Sequence, residues 1–184
     1  MEELERLAAD AVDGDPVAAA ALVRATQSDV WRLCAALGDP QAADDLAQET
    51  YLRAFGSLHR FEGRSSLRTW LLAIARRVCA DALRTRRRRP FSLVRDDTDL
   101  EALAGGDGAD TVGEGAVVTD LLDRLDADRR EAFVLTQLLG LPYAEAAEVV
   151  GCPVGTIRSR VARARSDLID ALADDTRQEE ATGR

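Results

Sequence analysis

The chain contains no lysine: all 24 of its basic residues are arginine. Every cationic contact therefore has the planar, forked geometry that suits phosphate and guanine. Aromatics make up only 4% of the 184 residues and β-branched runs are missing, which argues against a sheet-rich fold. No sustained alternation of apolar and polar residues marks a half-buried strand. No apolar stretch approaches the roughly 18–20 residues that a membrane span needs. The opening "MEELERLAAD" is acidic, unlike the basic head of a secretory signal. These absences lead us to expect a cytoplasmic protein with no membrane insertion. Cys34, Cys79 and Cys152 are odd in number and far apart, so they give neither a paired disulfide framework nor a zinc-type spacing. Each reads as a small buried hydrophobe rather than a redox group. His59 is the only histidine, and no nucleophile–base constellation accompanies it. Walker and Rossmann glycine patterns are missing too. No catalytic group, metal or cofactor is implied, and we expect no enzyme.

What is present favours helix. Apolar residues reach 46%, enough for a core, and Ala, Leu, Arg and Glu are strong helix formers. The length allows one domain or two small ones. The net charge of −9 hides a strong segregation. Residues 60–95 hold 11 arginines against two acids, and residues 151–165 hold four arginines and no acid. Residues 96–123 hold nine acids and no arginine. Local potential, not net charge, steers a polyanion toward a surface.

Helix signals punctuate the chain. Residues 2–37 read as helix interrupted at "DGDP", where Asp15 caps the restart and Pro16 takes the first helical position. Asp39-Pro40 repeats the device and opens a helix to about Leu58. Gly63-Arg64-Ser65 reads as a loop. Ser66 caps a long helix over 67–87 whose inward stripe is Leu67, Trp70, Leu71, Ile74, Val78 and Ala82. Its other face carries Arg76, Arg77, Arg84 and the run Arg86–Arg89, and Pro90 ends it. Residues 91–116 are rich in Gly and Asp and too long for a structureless connection inside one domain. They read as a flexible acidic linker. The fold class is therefore all-α: two small helical domains, residues 1–90 and 117–172, with a polar tail at 173–184.

In the second domain, "LPYAEAAEVVGCPVGTIRSRVARARSDLIDAL" has the form of a helix-turn-helix. Tyr143–Val150 is the first helix and Gly151-Cys152-Pro153 the turn, with Gly151 four residues after the small Ala147. At about 100° per residue, Ile157, Val161, Ala164 and Leu168 form the core side of the next helix. Ser159 and Ser166 centre the opposite side, with Gly155, Ala162 and Arg163 beside them and Arg158 at the edge. Arg160 and Arg165 lie nearer the core stripe and suit phosphates or intradomain acids. Small residues let a helix sink into the major groove while guanidiniums reach guanine or the backbone. A solvated basic helix on an ordinary bundle has the same pattern.

"ADDLAQETYLRAF", "FEGRSSLRTWLLAIARRVCADALR" and "LPYAEAAEVVGCPVGTIRSRVARAR", in this order, resemble the extracytoplasmic-function (group IV) sigma factors of bacterial RNA polymerase. The likeness covers about residues 15–172 and is greatest to the branch that contains the mycobacterial sigma factor C. It implies a region 2 domain that binds core polymerase and reads the −10 element, and a region 4 domain that reads the −35 element. It assigns Asp45, Gln48 and Glu49, which share one helix face, to the β′ clamp. A solvated polar face is the plainer reading of the same residues. It assigns Phe61, Arg64 and Ser65 to a loop holding a flipped base, although Phe61 reads equally as core, and Arg76, Arg77 and Arg84 to the −10 strands. Relatives often carry Asn where Arg77 stands, which touches base preference at that position. Trp70 reads as core rather than a melting wedge. Arg158, Ser159, Ala162 and Arg163 are assigned to the −35 element. The resemblance further implies the β flap and promoter DNA as partners, admits an anti-sigma protein, and gives the acidic linker a path through polymerase channels.

The expected function is that of an alternative sigma factor directing promoter-specific initiation. Two other readings stand beside it. A stand-alone helix-turn-helix regulator acting without polymerase would have no need of residues 40–89. An interaction protein would dock its basic faces on an acidic partner.

Overall fold

Aspartate and proline set the first helix starts. In the computed structural model, which describes residues 2–88 and 120–182, helix α1 spans Glu2–Val12 and α2 spans Pro16–Leu37. The Asp15 carboxylate accepts from the Val17 N–H at 2.8 Å, with Pro16 at the first helical position. Asp39 does the same for Gln41 at 3.1 Å and opens a 3₁₀ turn, Pro40–Ala42, that runs into α3, Ala43–Ser57. A second 3₁₀ turn, Leu58–Arg60, ends that segment, and α4 spans Leu67–Arg88. Ser66 caps α4: its hydroxyl oxygen accepts from the Thr69 N–H at 3.1 Å, satisfying one of the free donors of the first turn.

The second unit begins, within the described residues, with a helical turn at 120–123. Helix α5, Ala127–Phe133, passes directly into a π turn, Val134–Leu138, where the Leu139 N–H reaches back five residues to the Val134 carbonyl at 3.0 Å. Helix α6 spans Tyr143–Val150 and α7 spans Val154–Thr182. α7 thus continues as helix across most of the stretch read as a polar tail. The acidic linker at 91–116, with Arg89 and Pro90 before it, lies outside the described residues. No strand occurs among the described residues, as composition implies.

Gly151 terminates α6 in the left-handed region, at φ 78°, with its N–H bonded to the Ala147 carbonyl at 2.8 Å. A β-carbon there would meet nothing within 4 Å. The glycine answers a conformational demand, not a close helix crossing as its spacing from Ala147 suggests.

The α4 stripe is wider than its period implies. Leu67, Leu71, Ile74 and Val78 are buried as expected, and so are Thr69, Leu72, Ala75 and Cys79. α4 packs on α2 and α3 with one side and on α6 with another. One hydrophobic core therefore runs from Val30 and Leu33 through Leu72 and Ala75 to Leu135, Ile157 and Val161. Each fully buried leucine or isoleucine in it contributes about 1.5–3 kcal/mol. The two halves form a single packed body in which α4 is the shared wall.

Candidate nucleic-acid interface

The helix-turn-helix is built as its sequence period requires. Ile157, Val161 and Ala164 are at most 1% exposed and fix the inner side of α7. Arg158, Ser159, Ala162 and Arg163 all lie on its exposed side. Neither Arg158 nor Arg163 makes an ion pair among the described residues. The inner pair of arginines is spent differently: Arg160 pairs with Asp128, and Arg165 donates to the Gln137 amide oxygen at 2.8 Å. Arg129 on α5 ties to Asp167 on α7 at 2.6 Å. Intradomain acids thus hold the helix, and two unpaired guanidiniums face water beside small residues, the arrangement a major groove admits.

The acidic face of α3 is equally open. Asp45 and Gln48 are exposed, while Glu49 is partly buried and accepts from Arg53 at 2.8 Å. Arg53 also reaches Asp81 on α4 at 2.9 Å. The hydrogen bond from Arg53 is the main cause holding the Asp81 carboxyl below its ordinary value. Trp31 on α2 donates its indole N–H to Asp44 at 2.9 Å. Leu52 and Phe55 on the same helix as Asp45 remain exposed, so the face offers carboxylate, amide and apolar surface together.

The loop before α4 separates its three candidates. Arg64 is exposed and pairs with Glu62 at 3.0 Å, Ser65 is half-buried, and Phe61 leans on Trp70 with ring centroids 5.4 Å apart. Trp70 is half-buried against Leu22, Leu58 and Leu67. It serves the core, as its place on the apolar stripe implies.

Along α4 the arginines part company. Arg77 is exposed, and Arg84 is exposed with a local bond to Asp81 at 2.9 Å. Arg76, placed by its sequence on an open basic face, is instead half-buried and paired with Glu131 of α5, with a second contact at 3.3 Å. That is the one arginine of the −10 set drawn inward, and the cause is the second unit packing on α4. Arg68 does similar work, reaching Asp29 at 2.6 Å and the Leu139 carbonyl at 2.7 Å. Thr69 donates to Glu145 of α6 at 2.7 Å, with Ser66 at 3.5 Å from the same carboxylate.

Arg68, Thr69, Glu131 and Glu145 therefore form a polar seam beside the −10 candidates. Sequence reading did not find it. The two glutamates look like ordinary solvated acids, and their partners are 55 and 76 residues away in the chain.

The Sigma-70 region 2 family matches residues 22–89, and the Sigma-70, region 4 family matches residues 116–168. The chain is 52% identical to the ECF RNA polymerase sigma factor SigC of Mycobacterium tuberculosis, over 99% of this chain and 96% of that relative. It is 35% identical to the RNA polymerase sigma factor CnrH of Cupriavidus metallidurans, over 94% of this chain and 96% of that one. The solved structure of CnrH in complex with the cytosolic domain of CnrY matches with a TM-score of 0.74 at 28% identity, covering 94% of this chain and 99% of that chain. The sigma factor RpoE in complex with the anti-sigma factor NepR, from Bartonella quintana, matches with a TM-score of 0.65 at 29% identity, covering 82% and 94%.

Proposed function

The chain belongs to the extracytoplasmic-function sigma factors of bacterial RNA polymerase, and from that premise we propose how its surfaces divide the work of promoter recognition. It binds core polymerase and directs initiation at promoters with matched −10 and −35 elements. Residues 1–90 act as region 2 and 117–172 as region 4, the acidic linker 91–116 joining them. The protein works in the cytoplasm, where polymerase and promoter are, and carries out no chemistry itself.

The observation that carries the division of labour is the outward side of α7. Arg158, Ser159, Ala162 and Arg163 are exposed there while their neighbours Ile157, Val161 and Ala164 are buried. This side reads the −35 element. Asp45, Gln48 and Glu49 meet the β′ clamp, where acids and an amide suit a partner helix presenting arginines. The β flap is the second polymerase contact, through region 4.

Region 2 takes the −10 element with Phe61, Arg64 and Ser65 around a flipped base and with Arg76, Arg77 and Arg84 on the strands. The extruded base loses its stacking, and a pocket with backbone contacts compensates for that loss. The guanidinium of Arg76 is half-buried under the second unit and turned to Glu131, so a DNA phosphate competes with that unit for it. Region 4 therefore leaves α4 before the −10 element is read. Because the solved relative RpoE is in complex with the anti-sigma factor NepR, an anti-sigma protein is a further partner of this chain.

Multi-round transcription with purified core polymerase and a promoter library tests the reading. We expect transcripts from a narrow promoter class. RNA no different from that of core polymerase alone would refute it. A stand-alone operator-binding regulator finds no supporting observation, since α3 and α4 carry surfaces such a protein does not use.

A further inference from the structure

Three side chains at the start of α4 send hydrogen bonds into the second unit. The Thr69 hydroxyl donates to the Glu145 carboxylate of α6 at 2.7 Å, and the residue is 2% exposed. The Ser66 hydroxyl lies 2.8 Å from Thr69 Oγ1 and 3.5 Å from the same carboxylate oxygen. Arg68 is held at Nε by Asp29 of α2 at 2.6 Å, while its Nη2 donates to the Leu139 carbonyl at 2.7 Å. Asp29 belongs to the same unit as Arg68. Glu145 and Leu139 belong to the other.

The other buried threonines among the described residues behave differently. Thr26, Thr50 and Thr136 each donate to the carbonyl four residues earlier in their own helix, the usual local solution for a hydroxyl inside a helix. Thr69 instead aims its hydroxyl at an anion from a distant part of the chain. Once the second unit leaves α4, Thr69 Oγ1 and Arg68 Nη2 lose these acceptors while Asp29 still holds Arg68 in place.

Position indicates what replaces the carboxylate. This turn lies between the loop Phe61–Ser65 and Arg76, Arg77 and Arg84, so a strand that runs from the loop to those arginines crosses it. Thr69 and Arg76 stand on one side of α4, two turns and about 10 Å apart. Each is occupied by a glutamate of the second unit, Glu145 and Glu131. Carboxylate and phosphate oxygens accept from the same charged and hydroxyl donors, and Ser, Thr and Arg side chains are common partners of DNA phosphates.

We propose that Thr69, with Ser66 and the Nη2 edge of Arg68, is a seat for one backbone phosphate of the −10 strand, filled by Glu145 until region 4 leaves. The seat fixes the strand between the flipped base and Arg76 and reads no sequence. It rests on the proposed reading of α4 as the −10 surface.

The test uses the full chain bound to core polymerase and a fluorescein-labelled single-stranded oligonucleotide carrying a −10 sequence taken from the promoter library. Methylphosphonate replaces one phosphate at a time. We expect Thr69→Val to bind the unmodified oligonucleotide several-fold more weakly, by the same factor whichever base is changed, and Thr69→Ser to restore binding. We expect one position where the neutral linkage weakens wild type several-fold and weakens Thr69→Val no further. Arg68→Gln should flatten the dependence of log Kd on log salt by about 0.7, the contribution of one phosphate on a single strand. Core affinity and binding of duplex with only a −35 element report the fold of each variant. Wild-type affinity in Thr69→Val overturns the seat, as does a loss confined to one base or a loss that persists at every methylphosphonate position. If Thr69→Val does not fold, an unchanged salt slope in Arg68→Gln overturns it. Wild-type holoenzyme that binds no −10 oligonucleotide overturns the proposed function and the seat with it, whereas failure in the variants alone overturns only the seat.

Discussion

At the scale of single residues, exposure decides which arginines are available. Arg158 and Arg163 make no ion pair among the described residues, so truncating both to alanine should leave the fold intact and remove only the grip on DNA proposed for them. We expect a penalty of about 1–3 kcal/mol for each base that goes unread, seen as weaker −35-dependent initiation with unchanged affinity for core polymerase. Unaltered promoter choice would reject the assignment. Asp45→Asn with Gln48→Ala should do the reverse: core binding falls equally at every promoter, which a polymerase titration without DNA detects. The helical wheel made the exposed side of α7 legible because one buried stripe of period 3.6 fixes where every other residue points. Arg76 was not legible. Its local pattern places it on an open face, and only the distant Glu131 takes it away.

At the scale of elements, caps were legible and irregularities were not. Asp15-Pro16, Asp39-Pro40 and Ser66 each mark a real helix start, because a carboxylate or hydroxyl before free N–H groups is a local, self-contained device. The π turn at Val134–Leu138 has no such signature and went unread, as did the second buried side of α4, which depends on what packs there. Two glycines separate the physical reasons for keeping that residue. Gly151→Ala imposes a left-handed φ on alanine in open space and should cost roughly 1–2 kcal/mol. Gly38 has an ordinary φ of −102°, but its alanine variant crowds Leu46 and the Cys34 carbonyl, costing typically about 1–3 kcal/mol by overpacking. Thermal denaturation measures both. A melting point for Gly38→Ala equal to wild type would show that the α2–α3 corner has room to spare.

At the scale of the whole molecule, the two halves share one core and one polar seam. Composition marked out the halves, since the acidic stretch between them contrasts with basic flanks, but nothing local announced that they pack together. The seam pairs Arg76 with Glu131 and Thr69 with Glu145, on surfaces assigned to the −10 element. Glu131→Gln with Glu145→Gln should loosen it. We expect the free double variant to bind a single-stranded −10 oligonucleotide several-fold more tightly than wild type, by fluorescence anisotropy, while duplex carrying only a −35 element binds both alike. Equal −10 binding would mean that the seam does not compete with DNA.

The recognition side of α7 faces water while the seam keeps part of α4 covered, and that imposes a sequence of events. On the division of labour we propose, a copy not yet loaded on the enzyme would test the upstream half of a site without prying open the downstream half. Strand separation would thereby be reserved for the assembled machine, and stray encounters with the chromosome would end as brief visits to intact duplex.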